Sequence, residues 1–144
     1  MKTNIPKSSI LQLLRYQILE ARFQIKETEV SKIAYTVEVL PSIVSLEEIE
    51  EKHYRANLQL QISIKGKSGN KIVHKVSVLI VGEFEGKNLD QENFKKLCRL
   101  NGVASLLMLA RSYIASVTAL HNIKPIVLPF FNLVEARKQK KKNE

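Results

Sequence analysis

The chain places its strand-like patterns first and its helix-like patterns last. That order predicts an α+β fold, an antiparallel sheet with helices on one face. Three observations carry the prediction. Tyr54 to Ile64 alternates, with Tyr54, Ala56, Leu58, Leu60, Ile62 and Ile64 on one side and Arg55, Asn57, Gln59, Gln61 and Ser63 on the other. The chain then returns as Ile72 to Phe84, with Ile72, Val76, Val78, Ile80 and Phe84 on one face. After Gly86 the apolar spacing changes from alternation to a period of about 3.6 residues. A length of 144 residues fits one domain large enough to build its own core.

Taken in order, the first segment, Ile10 to Ile25, has two readings. As a strand it lines up Leu11, Leu13, Leu19, Ala21, Phe23 and Ile25. As a helix it lines up Ile10, Leu14, Ile18, Ala21 and Ile25, and residue propensities lean slightly to the helix. Lys32 to Leu40 reads as a strand, with Ile33, Tyr35, Val37 and Val39 alternating. Pro41 removes a backbone donor and is expected to end it. Ser45 to Lys52 is rich in glutamate and reads as an exposed connector. Lys65 to Asn70 supplies turn residues for a hairpin, whose second strand also carries Val73, Leu79 and Val81 on its other face. Asp90 caps a short helix bearing Phe94, Leu97 and Cys98, and Asn101-Gly102 breaks or kinks it. A stronger helix covers about Val103 to Leu120. Its stripe of Leu106, Leu107, Ala110, Tyr113, Ile114 and Val117 is too wide for a solvent-facing helix, so burial between layers or between subunits is expected. Lys124 to Phe131 is an extended apolar segment, and Asn132 to Lys140 reads as a short final helix.

Charge and composition exclude several function classes. The net charge is +9, of which residues 134–144 contribute +3 through five cations offset by Glu135 and Glu144. A terminal run such as Arg137 to Lys142 is most simply a solvated tail, so residues 1–136 form the expected domain and 137–144 the tail. Aromatics are only 6% and tryptophan is absent, so the body lacks the stacking platforms of single-strand binders. Nucleic-acid binding by the basic tail is a second reading. The start of the chain is polar and no leader pattern is read in it. The longest apolar-rich run, Val103 to Ala110, is far below the roughly 20 residues of a membrane span.

No catalytic pattern emerges. Cys98 is a lone cysteine, read as a small core residue, and His53, His74 and His121 are not at metal-ligand spacing. Gly66-Lys67-Ser68-Gly69 lacks the length and following helix of a phosphate loop. The expectation is no enzyme, no metal and no cofactor.

The C-terminal half carries a resemblance. The run Asn101 to Thr118, with Ala110-Arg111 after an aliphatic approach and Ile114 behind it, resembles the long helix of SecB export chaperones. Pro125-Ile126-Val127-Leu128-Pro129-Phe130-Phe131-Asn132-Leu133 looks like that family's following segment, and Gly82-Glu83-Phe84 like the end of its last strand. The stretch Leu19 to Gln24 sits where the family has its first strand, which favours the strand reading of Ile10 to Ile25. The resemblance implies a four-stranded antiparallel sheet, a long and a short C-terminal helix on one face, and a dimer of dimers. Met108 stands where the family pattern has proline.

The implied function is that of a cytoplasmic, ATP-independent holdase for unfolded polypeptides or preproteins. Groove candidates are Ile33, Tyr35, Val37, Phe84, Ile126, Leu128, Phe130, Phe131 and Leu133. Oligomer-interface candidates are Leu106, Leu107, Ala110, Tyr113, Ile114 and Val117. Glu20 matches a family residue that docks the translocase SecA, but Gln24 stands at the next such position and the chain is basic, against SecA as a partner. A chaperone dedicated to one partner, such as an antitoxin, is the nearest alternative.

Overall fold

The computed structural model describes residues 11–26, 32–121 and 123–129. Four long strands come first: β1 (Leu11–Ile25), β2 (Ala34–Glu50), β3 (His53–Ser68) and β4 (Lys71–Lys87). They form one antiparallel sheet in the order β1-β4-β3-β2, so β1 and β2 are the edges. The α+β expectation and the strand reading of the first segment both hold.

The expected face of β3 is the buried one. Leu58, Leu60, Ile62 and Ile64 pair with Gly82, Ile80, Val78 and Val76 of β4, and together they make the centre of the core. Ile72 departs from its predicted face and is exposed. A register irregularity at Gly66/Lys67, between it and Val76, resets the alternation.

Strand β2 runs straight through Pro41, which pairs with Leu60. Pro41 was expected to stop it. An edge strand has one side with no ladder to feed, and a proline whose missing donor faces that side costs no hydrogen bond. The glutamate-rich stretch is likewise strand rather than connector, with Glu47 opposite Arg55 and only Glu51-Lys52 left for the turn. Lys52 takes a φ of 58° there. The β3–β4 turn is also tighter than expected, at Gly69-Asn70.

The helices lie on the face of even-numbered β3 residues. Helix α1 (Gln91–Leu97) starts where predicted, with the Asp90 carboxylate accepting from the Asn93 N–H at 2.8 Å. Asn101-Gly102 does not break the chain. Cys98–Gly102 forms one π-helical turn that carries α1 into α2 (Val103–Ala119). Gln91–Ala119 is long and apolar enough to cross a membrane, but its apolar stripe is packed on the sheet, with Phe94, Cys98, Leu106, Ala110 and Ile114 fully buried. Burial pushes the Cys98 thiol up to about 11 against a small opposing pull from Arg99, so it behaves as the core residue expected of it. The final helix expected over 132–140 and the tail 137–144 lie outside the described residues.

Candidate functional site

Helix α2 covers the β1–β4 side of the sheet, where Phe23 meets Tyr113 edge-on with ring centroids 6.0 Å apart. The β2 side is covered by the chain that follows the helix. Residues 124–129 run back along α2 and are pinned to it twice. The Thr118 hydroxyl accepts from the Ile126 N–H at 2.9 Å and donates to the Ile114 carbonyl at 2.7 Å. The Arg111 Nε–H donates to the Leu128 carbonyl at 2.8 Å. Pro125 and Pro129 bias Lys124 and Leu128 towards extended backbone. Alternation then buries Ile126 and Leu128 and leaves Val127 54% exposed.

The opposite wall is the start of β2. Ile33, Tyr35 and Val37 face 124–129 across a groove of about 1000 Å³. Its floor is apolar, and its β2 wall is a sheet edge on which no further strand pairs among the described residues. Tyr35 is held from below. Its hydroxyl shares a 2.8 Å hydrogen bond with Nδ1 of His74, and the rings stack at 5.9 Å. Gly66 makes room for the pair, since a Cβ there would lie 2.7 Å from the Tyr35 ring. His74 is 2% exposed, and its Nε2 has no partner among the described residues. Burial lowers the pKa of this imidazole and raises that of the Tyr35 phenol, so both are neutral near pH 7.

The structure sorts the sequence candidates. Ile33, Tyr35, Val37, Ile126 and Leu128 come together in the groove. Phe84 does not. It is 1% exposed and packed between sheet and helix, because its even position on β4 faces α2. Phe130, Phe131 and Leu133 lie outside the described residues. The interface candidates Leu106, Leu107, Ala110 and Ile114 are buried in the core of their own chain, and Tyr113 and Val117 are half-buried beside them. Glu20 is on the opposite, open face of the sheet, ion-paired with Arg22 at 2.9 Å. Sequence reasoning missed Lys32, Lys67, Lys124 and Pro125, which also line the groove. Only the spacing of Pro125 and Pro129 hinted at a fixed extended wall.

At the other end of the sheet the charges around Glu85 are mutually satisfied. Glu85 receives His53 Nε2 at 2.7 Å, Arg55 Nε at 3.1 Å and Lys87 Nζ at 3.6 Å. Burial pulls the Glu85 carboxyl up, but the bonds and charges of His53 and Arg55 outweigh it and leave the carboxyl below its ordinary range. No cluster of ligating side chains that would hold a metal occurs among the described residues.

The backbone is similar to that of solved structures. The SecB-like chaperone Rv1957 of Mycobacterium tuberculosis, solved with a ChAD peptide from the HigA1 antitoxin, superposes with a TM-score of 0.66 at 12% identity, over 85% of this chain and 91% of that one. The chain has the SecB-like fold. A protein of unknown function from Streptococcus agalactiae shares it more loosely, with a TM-score of 0.55 and 13% identity over 84% of this chain and 98% of that one. No protein-family model and no curated protein matches the sequence. The SecB-like likeness is therefore one of backbone fold, with little help from residue identity.

Proposed function

We propose that this chain is a chaperone that holds non-native polypeptide in the groove between β2 and residues 124–129, with no nucleotide and no covalent chemistry. The observation that carries the reading is an apolar groove with one firmly anchored wall and one open strand edge. An unfolded segment brings what such a groove lacks. Its apolar side chains cover the accessible apolar lining, Ile33, Tyr35, Val37 and Val127, over a base of buried Ile126 and Leu128, and its backbone pairs with the outer edge of β2. Burying on the order of 200 Å² of apolar surface is worth about 5 kcal/mol. Ordering the client costs a comparable amount, so one groove binds weakly and releases readily. Tight holding comes from several grooves on one client, which a homo-oligomer in the cytoplasm supplies.

The SecB-like fold supports the chaperone reading, and it supports two client ranges. One is broad holding of preproteins for export. The other is service to one partner, favoured by the neighbour solved with an antitoxin peptide.

The test is light scattering from a denatured model protein diluted into buffer with and without the chain, in the absence of ATP, alongside the chain's mass by static light scattering. Suppressed aggregation from an oligomer is the expected result. Val37→Asp, which places a charge on the β2 wall of the groove, is expected to abolish suppression while the oligomer persists. Undiminished aggregation with the unaltered, folded chain overturns the proposal.

A further inference from the structure

The groove is apolar along its floor but basic at its mouth. Lys32, Lys67 and Lys124 line it, from the approach to β2, the end of β3 and the start of the returning segment, and no aspartate or glutamate lines it among the described residues. These three ammonium groups have no ion-pair partner among the described residues. The carboxylates Glu83 and Glu85 are instead paired at the far end of the sheet, with Arg15 and with His53, Arg55 and Lys87. The surroundings of the groove reinforce the sign. Lys71 pairs with Ser68 at the hairpin end next to Lys67. The groove therefore sits in the positive field of a chain whose net charge is +9.

We infer that the groove selects extended client segments in which a short apolar stretch is flanked by aspartate or glutamate. This rests on the reading of the groove as the client site. The apolar centre covers the floor, and the flanking carboxylates meet Lys32, Lys67 and Lys124 at the rim. Exposed ion pairs are individually weak, each contributing a factor of about two, so three give on the order of tenfold. Their larger effect is on encounter, because a positive rim draws acidic segments in and repels basic ones. Apolar segments flanked by lysine or arginine are the disfavoured class.

Fluorescence anisotropy on the full chain tests this with three labelled peptides that share one apolar core and carry Glu, Ser or Lys flanks. At low salt the Glu-flanked peptide is expected to bind about tenfold tighter than the Ser-flanked one and the Lys-flanked peptide weaker still, with the differences collapsing towards 1 M salt as the charges are screened. Charge reversal by Lys32→Glu, Lys67→Glu and Lys124→Glu together is expected to invert the ranking of the Glu- and Lys-flanked peptides. Equal binding of all three peptides overturns the charge selection and leaves the groove reading standing. Binding of none of them overturns both. A preference for Glu flanks that survives the charge reversal places the selection elsewhere, such as on the basic run Arg137 to Lys142, and overturns the assignment to this groove.

Discussion

The two ends of the sheet are built from the same strands and behave differently. At the end where β2 turns into β3, Gly86 lies flat beneath Phe94, whose ring stacks on Tyr54 at 5.5 Å, and Glu85 is surrounded by three basic groups. The buried charge there has its answer inside the chain. At the end where β3 turns into β4, Gly66 makes room for Tyr35 and His74, the groove opens, and its lysines face outward without partners among the described residues. Both ends use a glycine to let an aromatic ring approach a strand. One uses the space to close the core and the other to shape a wall. Charges paired within the fold hold it together, and charges left for solvent are those free to meet a partner.

The largest effect that separates the ends is at Phe94. Phe94→Ala removes a fully buried ring, and a cavity there costs about 3–5 kcal/mol of stability by denaturant unfolding. The same variant, where still folded, is expected to bind peptide with unchanged affinity, because the groove is at the opposite end. Loss of peptide binding in proportion to stability would show that the ends are not independent. A smaller effect with the opposite signature is expected at Arg111. Arg111→Ala deletes the bond to the Leu128 carbonyl, costing roughly 1–2 kcal/mol of stability. It frees one wall of the groove, so peptide affinity is expected to fall several-fold, more than a structural defect of that size would produce. Titrating the folded variant with the Ser-flanked peptide measures this directly.

The fold was legible in the sequence wherever burial enforces alternation. The inward set of β3 and the Asp90 cap are in the places their patterns assign. Misreadings fell where a residue's local preference is overridden by position in the sheet. Pro41 and the glutamates of 47–50 suit loops, yet an edge strand tolerates both because one side needs no ladder and one face is wet. The π-helical turn at Cys98–Gly102 let the helix pass Asn101-Gly102, which local chemistry marks as a break. The groove was half legible. Its apolar residues were found by hydrophobicity, which also drew in Phe84, because exposure of an apolar side chain depends on which face of β4 it occupies. Its lysines were not found, because Lys32, Lys67 and Lys124 are far apart in sequence and meet only when the returning segment lies beside β2. The roles of Arg111 and Thr118 were invisible for the same reason, since their partners are carbonyl and amide groups that no side-chain pattern announces.

The smallest expected effect sharpens the comparison through pH. At the groove end, burial lowers the pKa of His74 below the 6.5 of a free imidazole. The unfolded chain then binds a proton before the folded one does, so this contribution to stability is complete above about 6.5 and declines as pH falls below it, until the folded state also protonates. At the closed end, Glu85 is held below the 4.5 of a free carboxyl, so its contribution is complete above about 4.5 and is lost only as pH falls further, through the folded value. Stability measured by urea unfolding between pH 8 and 5 is therefore expected to fall on the acid side through His74 while Glu85 still holds its end. His74→Gln is expected to flatten that slope, and Glu85→Gln to leave it in place while removing the later loss below about 4.5. The protonated imidazole needs an acceptor at both nitrogens, and Nε2 has none among the described residues, so acidification also loosens Tyr35 from beneath the groove. Peptide affinity should consequently weaken over the same interval in which His74 titrates. An affinity that stays flat from pH 8 to 5 while stability declines would show that the Tyr35 wall keeps its place without the His74 bond.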